Sequence, residues 1–251
     1  MNTKLCIFVW LAGVPGIISV VWLALPILLQ GRTLPMSFGT VQVISAAQSL
    51  VLLAIAAAVG SGLAHKVALD APLLSAITTP KSMVTPVSKL LIPGIVGGLA
   101  GGLLLLVASR FTPSALVPLL DKYSFPLVTR VLYGGITEEV LVRWGLMTLI
   151  VWVLWRFFQG GIGSPSTLVV VSSIALSAVL FGVGHLPAAR AILGVLSTQV
   201  TLFVIVGNWI FGLMAGYLYW QYGLEAAIVA HIVAHVVAYV GITRRSSGRP
   251  A

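Results

Sequence analysis

The chain has 251 residues, of which 59% are hydrophobic and only 8% are charged, whereas about a quarter of the residues in an ordinary soluble domain are charged. So few charges cannot cover the surface of a water-soluble protein, and the composition therefore predicts an integral membrane protein. The formal charge of +9 does not indicate a nucleic-acid partner, because the basic residues lie near the ends of apolar stretches, where they suit lipid headgroups.

Seven apolar stretches follow one another along the chain, each long enough to cross a hydrocarbon core of about 30 Å. They cover residues 5–29, 41–64, 91–109, 127–155, 167–185, 191–222 and 224–243. The first is too long for the apolar part of a secretory signal, so we interpret it as a retained span. Residues 191–222 are too many for one upright crossing and too few for two. The sequence therefore predicts an all-α, polytopic bundle of seven or eight transmembrane helices.

The peripheral basic residues are distributed unevenly between the two sides of the predicted bundle. With seven spans or with eight, the side that holds the C-terminal tail collects eight of them and the other side five. Cytoplasmic flanks of membrane proteins are the richer in lysine and arginine. We therefore expect the C-terminal tail in the cytoplasm, while the side of the N-terminus depends on the number of spans.

The few ionisable residues inside the predicted spans carry the functional signal. Glu138, Glu139 and Arg143 lie well inside one span, and an ionised group at mid-membrane costs about 2.5 to 3.5 kcal/mol, so the three cost roughly 7 to 10 kcal/mol before pairing. Glu139 and Arg143 are one helical turn apart, which predicts an internal ion pair. Glu138 is about 140° away from Arg143 around the helix. We expect it to face another polar group and to take and return a proton.

Three histidines in later spans are candidates for that polar group. His185 ends its span, and His231 and His235 lie four residues apart on one face of the last span. A single histidine in a membrane helix is as often a packing residue as a catalyst, and Glu139 with Arg143 could be only a structural clasp. Ionisable groups on defined faces of three helices instead indicate a polar site inside the bundle.

At these residues the chain resembles the CPBP family, which includes CAAX prenyl endopeptidases and bacteriocin-processing or immunity proteins of the Abi type. The three family motifs are found as Glu138-Glu139 followed by Arg143, as Phe181 followed by His185, and as His231 followed by His235. The resemblance covers roughly residues 125–243. It implies a CPBP-like catalytic core over that range, with accessory helices in residues 1–124, in one integral membrane domain spanning 1–251.

The resemblance implies hydrolysis of a peptide bond within the membrane. In the family, the first glutamate and the second-motif histidine are thought to activate water, here Glu138 and His185. The last motif is thought to stabilise the oxyanion, here through His231 and His235. Many members have asparagine at the second of these positions, but a neutral imidazole can also donate a hydrogen bond. The implied partners are membrane lipid and a peptide or lipidated-peptide substrate, in the plasma membrane of a prokaryotic cell.

The resemblance leaves the need for a metal open, since family members have been described both as metalloproteases and as metal-free, glutamate-dependent proteases. If zinc is bound, Glu138, His185, His231 and His235 form the expected ligand set. The chain lacks the His-Glu-x-x-His spacing of common zinc proteases. We therefore favour a site without an obligatory metal.

Two other classes of function fit the same residues. A proton-coupled transporter would use them to relay protons, although the halves of an inverted-repeat transporter are not evident. A non-catalytic membrane partner, such as an immunity or assembly factor, would use the motifs only to hold the bundle together. A haem-binding bundle through His185 and His231 is a more remote alternative.

Overall fold

The computed structural model describes residues 2–78, 87–119 and 123–247, with side chains described as far as residue 241. Within these ranges the regular structure is entirely helical. The helices are α1 (Thr3–Leu29), α2 (Phe38–Val67), α3 (Pro72–Thr78), α4 (Ser88–Phe111), α5 (Leu127–Gln159), α6 (Thr167–Gly184), α7 (Leu186–Leu193), α8 (Thr198–Tyr222) and α9 (Leu224–Ser247).

Seven segments of the described chain are long and apolar enough to cross a membrane. They are α1, α2, α4, α5, α6 together with α7, α8, and the Leu224–Gly241 part of α9. The predicted all-α transmembrane bundle is thus confirmed, with seven spans. An odd number of crossings places the beginning of α1 and the end of α9 on opposite sides. Of the basic residues counted for the topology, Lys81, Lys122 and Arg249 lie outside the described residues.

The ambiguous stretch 191–222 is divided by a turn and contains one crossing. α7 ends before Gly194, whose φ of +76° lies in the left-handed region that glycine adopts without strain. Ser197 then accepts a hydrogen bond from the backbone N–H of Val200 and caps the start of α8. Within this apolar run, a glycine therefore ends one helix and a capping serine starts the next.

Helix α5 is the central helix of the bundle, since it packs against α1, α2, α6, α8 and α9. Two of its segments, Arg130–Thr137 and Val140–Met147, are π-helical, and they flank Glu138 and Glu139. Such wide turns are frequent at functional sites because they redirect side chains relative to a regular helix. The two carboxylates therefore lie between the two π-helical segments of α5.

Small residues on α4 hold α9 in place. Gly94, Gly98 and Gly102 face α9, and a Cβ atom added at Gly98 would lie only 2.5 Å from the Cβ of Val233. Glycine at every fourth position lets two apolar helices approach closely, which is a main source of packing energy within lipid. The close packing of α4 fixes the depth and rotation of α9, the helix that carries His231 and His235.

Candidate active site within the bundle

A cavity of about 440 Å³ lies between α1, α5, α6, α8 and α9. The four residues predicted to be catalytic, Glu138, His185, His231 and His235, all line it. The remaining lining residues are Val20, Ala24, Leu25, Leu28, Phe125, Thr129, Arg130, Tyr133, Gly134, Phe181, Ala188 and Asn208. The structure therefore brings side chains from three distant parts of the sequence into one partly polar space inside an apolar bundle.

His185 lies at a break in the fifth span, between α6 and α7. The backbone N–H of His185 bonds to the carbonyl of Gly182 rather than continuing the α-helical pattern. Pro187, which has no N–H, follows in the first turn of α7. The Nδ1 atom of His185 lies 2.8 Å from the carbonyl oxygen of Phe181. Because a carbonyl oxygen can only accept, Nδ1 carries the hydrogen and Nε2 presents a lone pair.

Glu138 and His185 face each other across the cavity. The Oε1 atom of Glu138 lies 3.9 Å from Nε2 of His185, and the two side chains are 18% and 33% exposed. This separation exceeds a direct hydrogen bond, but one water molecule could bond to both atoms at ordinary distances. Both side chains are partly exposed, as two groups that act on one substrate in the cavity must be.

Glu139 lies behind the cavity and is fully buried. Its Oε1 atom lies 3.2 Å from Nη1 of Arg143, in an ion pair, and 2.6 Å from Nδ1 of His231. The Arg143 guanidinium also donates from Nη2 to the carbonyl of Gly212 at 3.2 Å and lies over the ring of Phe181. One carboxylate therefore balances a buried guanidinium and fixes the orientation of a histidine ring.

Aromatic rings hold the histidines in position. The ring of His231 stacks on that of His235, with centroids 4.8 Å apart, and packs against Phe211 at 4.4 Å. The ring of Phe181 is nearly perpendicular to the rings of His185 and His231, with centroid distances of 4.7 Å and 6.1 Å. Phe181 therefore packs against two of the four catalytic candidates, which gives the phenylalanine of the second motif a physical role as a packing centre.

Gly134 allows α5 and α9 to approach each other at the site. A Cβ atom added at Gly134 would lie 2.5 Å from Nε2 of His235. For the peptide-bond hydrolysis that the resemblance implies, we expect Gly134→Ala to displace the His235 ring and lower the rate roughly a hundredfold, as a misplacement of about 1 Å does. Gly62→Ala on α2 is the matched control, because nothing lies within 4 Å of that position. Equal cleavage rates for the two variants in the same detergent would contradict this role.

The predicted zinc ligands share the cavity without converging on a point. Among the residues that the structure describes, no three side chains of His, Cys, Asp or Glu are grouped closely enough to hold a metal ion. The Nδ1 atom of His231 is bonded to Glu139, so Nε2 is the nitrogen of this ring that remains available. The mechanism proposed below uses protein side chains alone.

Four polar lining residues were not singled out in the sequence: Thr129, Arg130, Tyr133 and Asn208. Asn208 interrupts the apolar sequence of α8, which was an available signal. Arg130 had been assigned to the bundle periphery, yet it lines the cavity with Tyr133, and its Nε atom donates to the carbonyl of Phe125. The bond between Glu139 and His231 was also not predicted, because it depends on how α9 packs against α5.

The fold and the site together define a polytopic helical membrane protein with a carboxylate and histidine site enclosed within its bundle. Residues 121–237 match the family described as Type II CAAX prenyl endopeptidase Rce1-like. The matched region contains all three motifs, so the match confirms the resemblance to the CPBP family that was inferred from the sequence. No curated protein and no solved structure matches the chain.

Proposed function

We propose that the protein is an intramembrane endopeptidase in which Glu138 and His185 activate water for attack on a peptide bond. The family match supports this reaction, because the family is one of proteases. The observation that carries the proposal for this chain is the approach of the Glu138 carboxylate to within 3.9 Å of the His185 imidazole in a cavity inside the bundle.

The proposed reaction begins with one water molecule held between the two side chains. The water donates one hydrogen to the Glu138 carboxylate and the other to the Nε2 lone pair of His185. Its oxygen then attacks the scissile carbonyl carbon while Glu138 accepts a proton, and the carbonyl π electrons move to the oxygen. When the C–N bond of the tetrahedral intermediate breaks, Glu138 returns the proton to the leaving nitrogen.

The negative charge on the tetrahedral intermediate is met by donors on α9. His231 can donate from Nε2 in two states: either its ring is protonated beside the Glu139 carboxylate, or Glu139 is the acid and donates to Nδ1. His235 stacks directly on this ring. Preorganised donors of this kind in a site without bulk water are typically worth 10² to 10³ in rate.

The cavity wall formed by α1 favours a substrate with an apolar portion. Val20, Ala24, Leu25 and Leu28 line the cavity, and none of them carries a polar side chain. Polar groups of α5 and α9 line the same cavity, so a peptide could place its scissile bond at the polar groups and an apolar side chain or lipid group against α1. We therefore propose a peptide or lipidated-peptide substrate taken from the membrane.

Product analysis tests this proposal directly. Purified protein in detergent is incubated with lipidated and unlipidated peptides, with and without a chelator, and the products are identified by mass spectrometry. Endopeptidase activity predicts new peptide ends. Substrate flux into sealed vesicles without peptide products would favour the transporter hypothesis instead. Full biological activity after replacement of both Glu138 and His185 would favour a non-catalytic partner.

The distribution of charge supports a defined orientation in the membrane. With seven spans, the eight basic residues of the richer side lie on the side of the bundle where α9 ends. We propose that this side faces the cytoplasm of a prokaryotic cell, with the bundle in its plasma membrane. A fluorescent protein that matures only in the cytoplasm should fluoresce when fused to the C-terminus and stay dark when fused to the N-terminus. The reverse pattern would overturn this orientation.

A further inference from the structure

Asn208 is a polar side chain in α8 that lines the catalytic cavity and has no part in the reaction as described so far. We propose that its side-chain amide donates a hydrogen bond to the carbonyl oxygen of the scissile peptide bond. This would make Asn208 a further catalytic residue. The inference rests on the proposed endopeptidase function and adds a residue outside the three motifs.

The packing of α8 against α6 directs Asn208 towards the catalytic residues. A Cβ atom added at Gly182 would lie 2.6 Å from the carbonyl oxygen of Ile205, and one added at Gly212 would lie 2.8 Å from the Cβ of Ala178. Ile205 and Gly212 therefore mark the face of α8 that lies on α6. Asn208 is three residues after the first and four before the second, so it shares this face.

The same two contacts place Asn208 at the depth of the site. Helices α6 and α8 run in opposite directions, with Gly182 beside Ile205 and Ala178 beside Gly212. Asn208, between the two contacts on α8, is consequently level with the stretch of α6 that contains Phe181. That ring lies between His185 and His231. The amide of Asn208 thus enters the cavity beside the groups that would surround the reacting carbonyl.

The hydrogen bonds of Asn208 leave one donor available to the cavity. Its Nδ2 atom donates to the carbonyl of Val204 at 2.8 Å. An amide nitrogen carries two hydrogens, and the bond to the preceding turn uses one and fixes the position of the nitrogen. The second hydrogen is held on a side chain whose rotation is already restricted, which is the arrangement that preorganised catalysis requires.

An amide donor differs from the imidazoles of α9 in being independent of protonation. Whether Nε2 of His231 carries a hydrogen depends on the proton shared with Glu139, because the two side chains are joined through Nδ1. The ring of His235 likewise donates from only one nitrogen when it is neutral. The N–H of Asn208 is present in every state of the site, so it can meet the developing charge before any proton has moved.

Replacement of Asn208 by leucine, which has nearly the same shape and no donor, tests this role. We expect kcat for peptide cleavage to fall about 10² to 10³-fold, the loss typical of one oxyanion donor, with KM changed less than about threefold. A peptide difluoroketone, which binds as a tetrahedral hydrate, should bind more weakly by a similar factor. A residue needed only for packing would not shift kcat and inhibitor affinity together.

Two further variants make the result decisive. Asn208→Ala removes the same donor with less volume and should show the same loss of kcat if the leucine variant does not fold. Thr201→Val on the same helix is the matched control with unchanged kcat, because Thr201 does not line the cavity and its hydroxyl donates to the carbonyl of Ser197 within the helix.

The role of Asn208 and the proposed endopeptidase function would be contradicted by different results. If the parent protein cleaves peptides and a folded Asn208 variant keeps the parental kcat, the role of Asn208 is wrong and the proposed function stands. If the parent cleaves no peptide under any of the tested conditions, the proposed function itself is wrong. A loss of melting temperature in both Asn208 variants, with kcat unchanged, would assign the residue to packing.

Discussion

Replacing Glu138 by glutamine is expected to abolish peptide cleavage and to leave the bundle folded. Glutamine keeps the shape of the side chain but cannot accept the proton of the attacking water. Loss of a general base typically costs 10² to 10⁴ in rate. Folding should survive because Glu138 is partly exposed to the cavity and its nearest ionisable partner, His185, is 3.9 Å away.

The cleavage rate of Glu138→Gln is best compared with that of Glu225→Gln. Glu225 is also a glutamate of a spanning helix, but its Oε1 atom accepts hydrogen bonds from the backbone N–H groups of Leu73 and Leu74 at the start of α3, away from the cavity. A glutamine oxygen can accept the same two bonds, so this variant should keep the parental rate. Parental activity of Glu138→Gln in purified, folded protein would remove Glu138 from the mechanism.

The spans and the candidate residues could be predicted because charge inside an apolar segment is visible in the sequence alone. Extending this reasoning to neutral polar side chains would have added Asn208, although its Nδ2 atom bonds to the carbonyl of Val204 within its own helix. Its role depends on which face of α8 meets α6. That face is set by contacts between helices, which no local pattern specifies.

The part of the cavity wall that α1 forms could not be predicted from the sequence for the same reason. Its residues lie far from the three motifs in sequence, and as apolar side chains they give no local sign of a function. The structure places four of them in the cavity wall. The bond from Thr137 of α5 to the carbonyl of Gly13 on α1 helps to hold the two helices together. The wall of the cavity is therefore a product of packing between distant segments.

The irregular geometry of α5 was likewise hidden from sequence reasoning. A regular α-helix with a 100° step separates Glu138 from Glu139 around its axis, whereas in α5 π-helical turns lie on both sides of the pair. The two carboxylates nevertheless lie in different surroundings. Glu139 meets Arg143 and His231 in the interior, and Glu138 faces His185 in the cavity.

Removing one member of the buried ion pair is expected to be the most damaging change to folding. Arg143→Met would leave the Glu139 carboxylate buried without its guanidinium, and Glu139→Gln would leave the Arg143 charge unbalanced in a site that is 1% exposed. Breaking a buried pair in this way costs about 3 to 5 kcal/mol. We expect either single variant to lose most of its folded yield in detergent and to melt at a much lower temperature.

The double variant, with glutamine at Glu139 and methionine at Arg143, separates the charge from the packing. It contains no unbalanced charge, so it should recover much of the stability that each single variant loses, because the coupling between neighbouring buried groups is not additive. Its activity should stay low, since His231 loses the carboxylate beside Nδ1. Recovery of stability without recovery of cleavage would show that Glu139 both balances Arg143 and positions His231. A double variant no more stable than the singles would show that the pair matters for its shape and not for its charge.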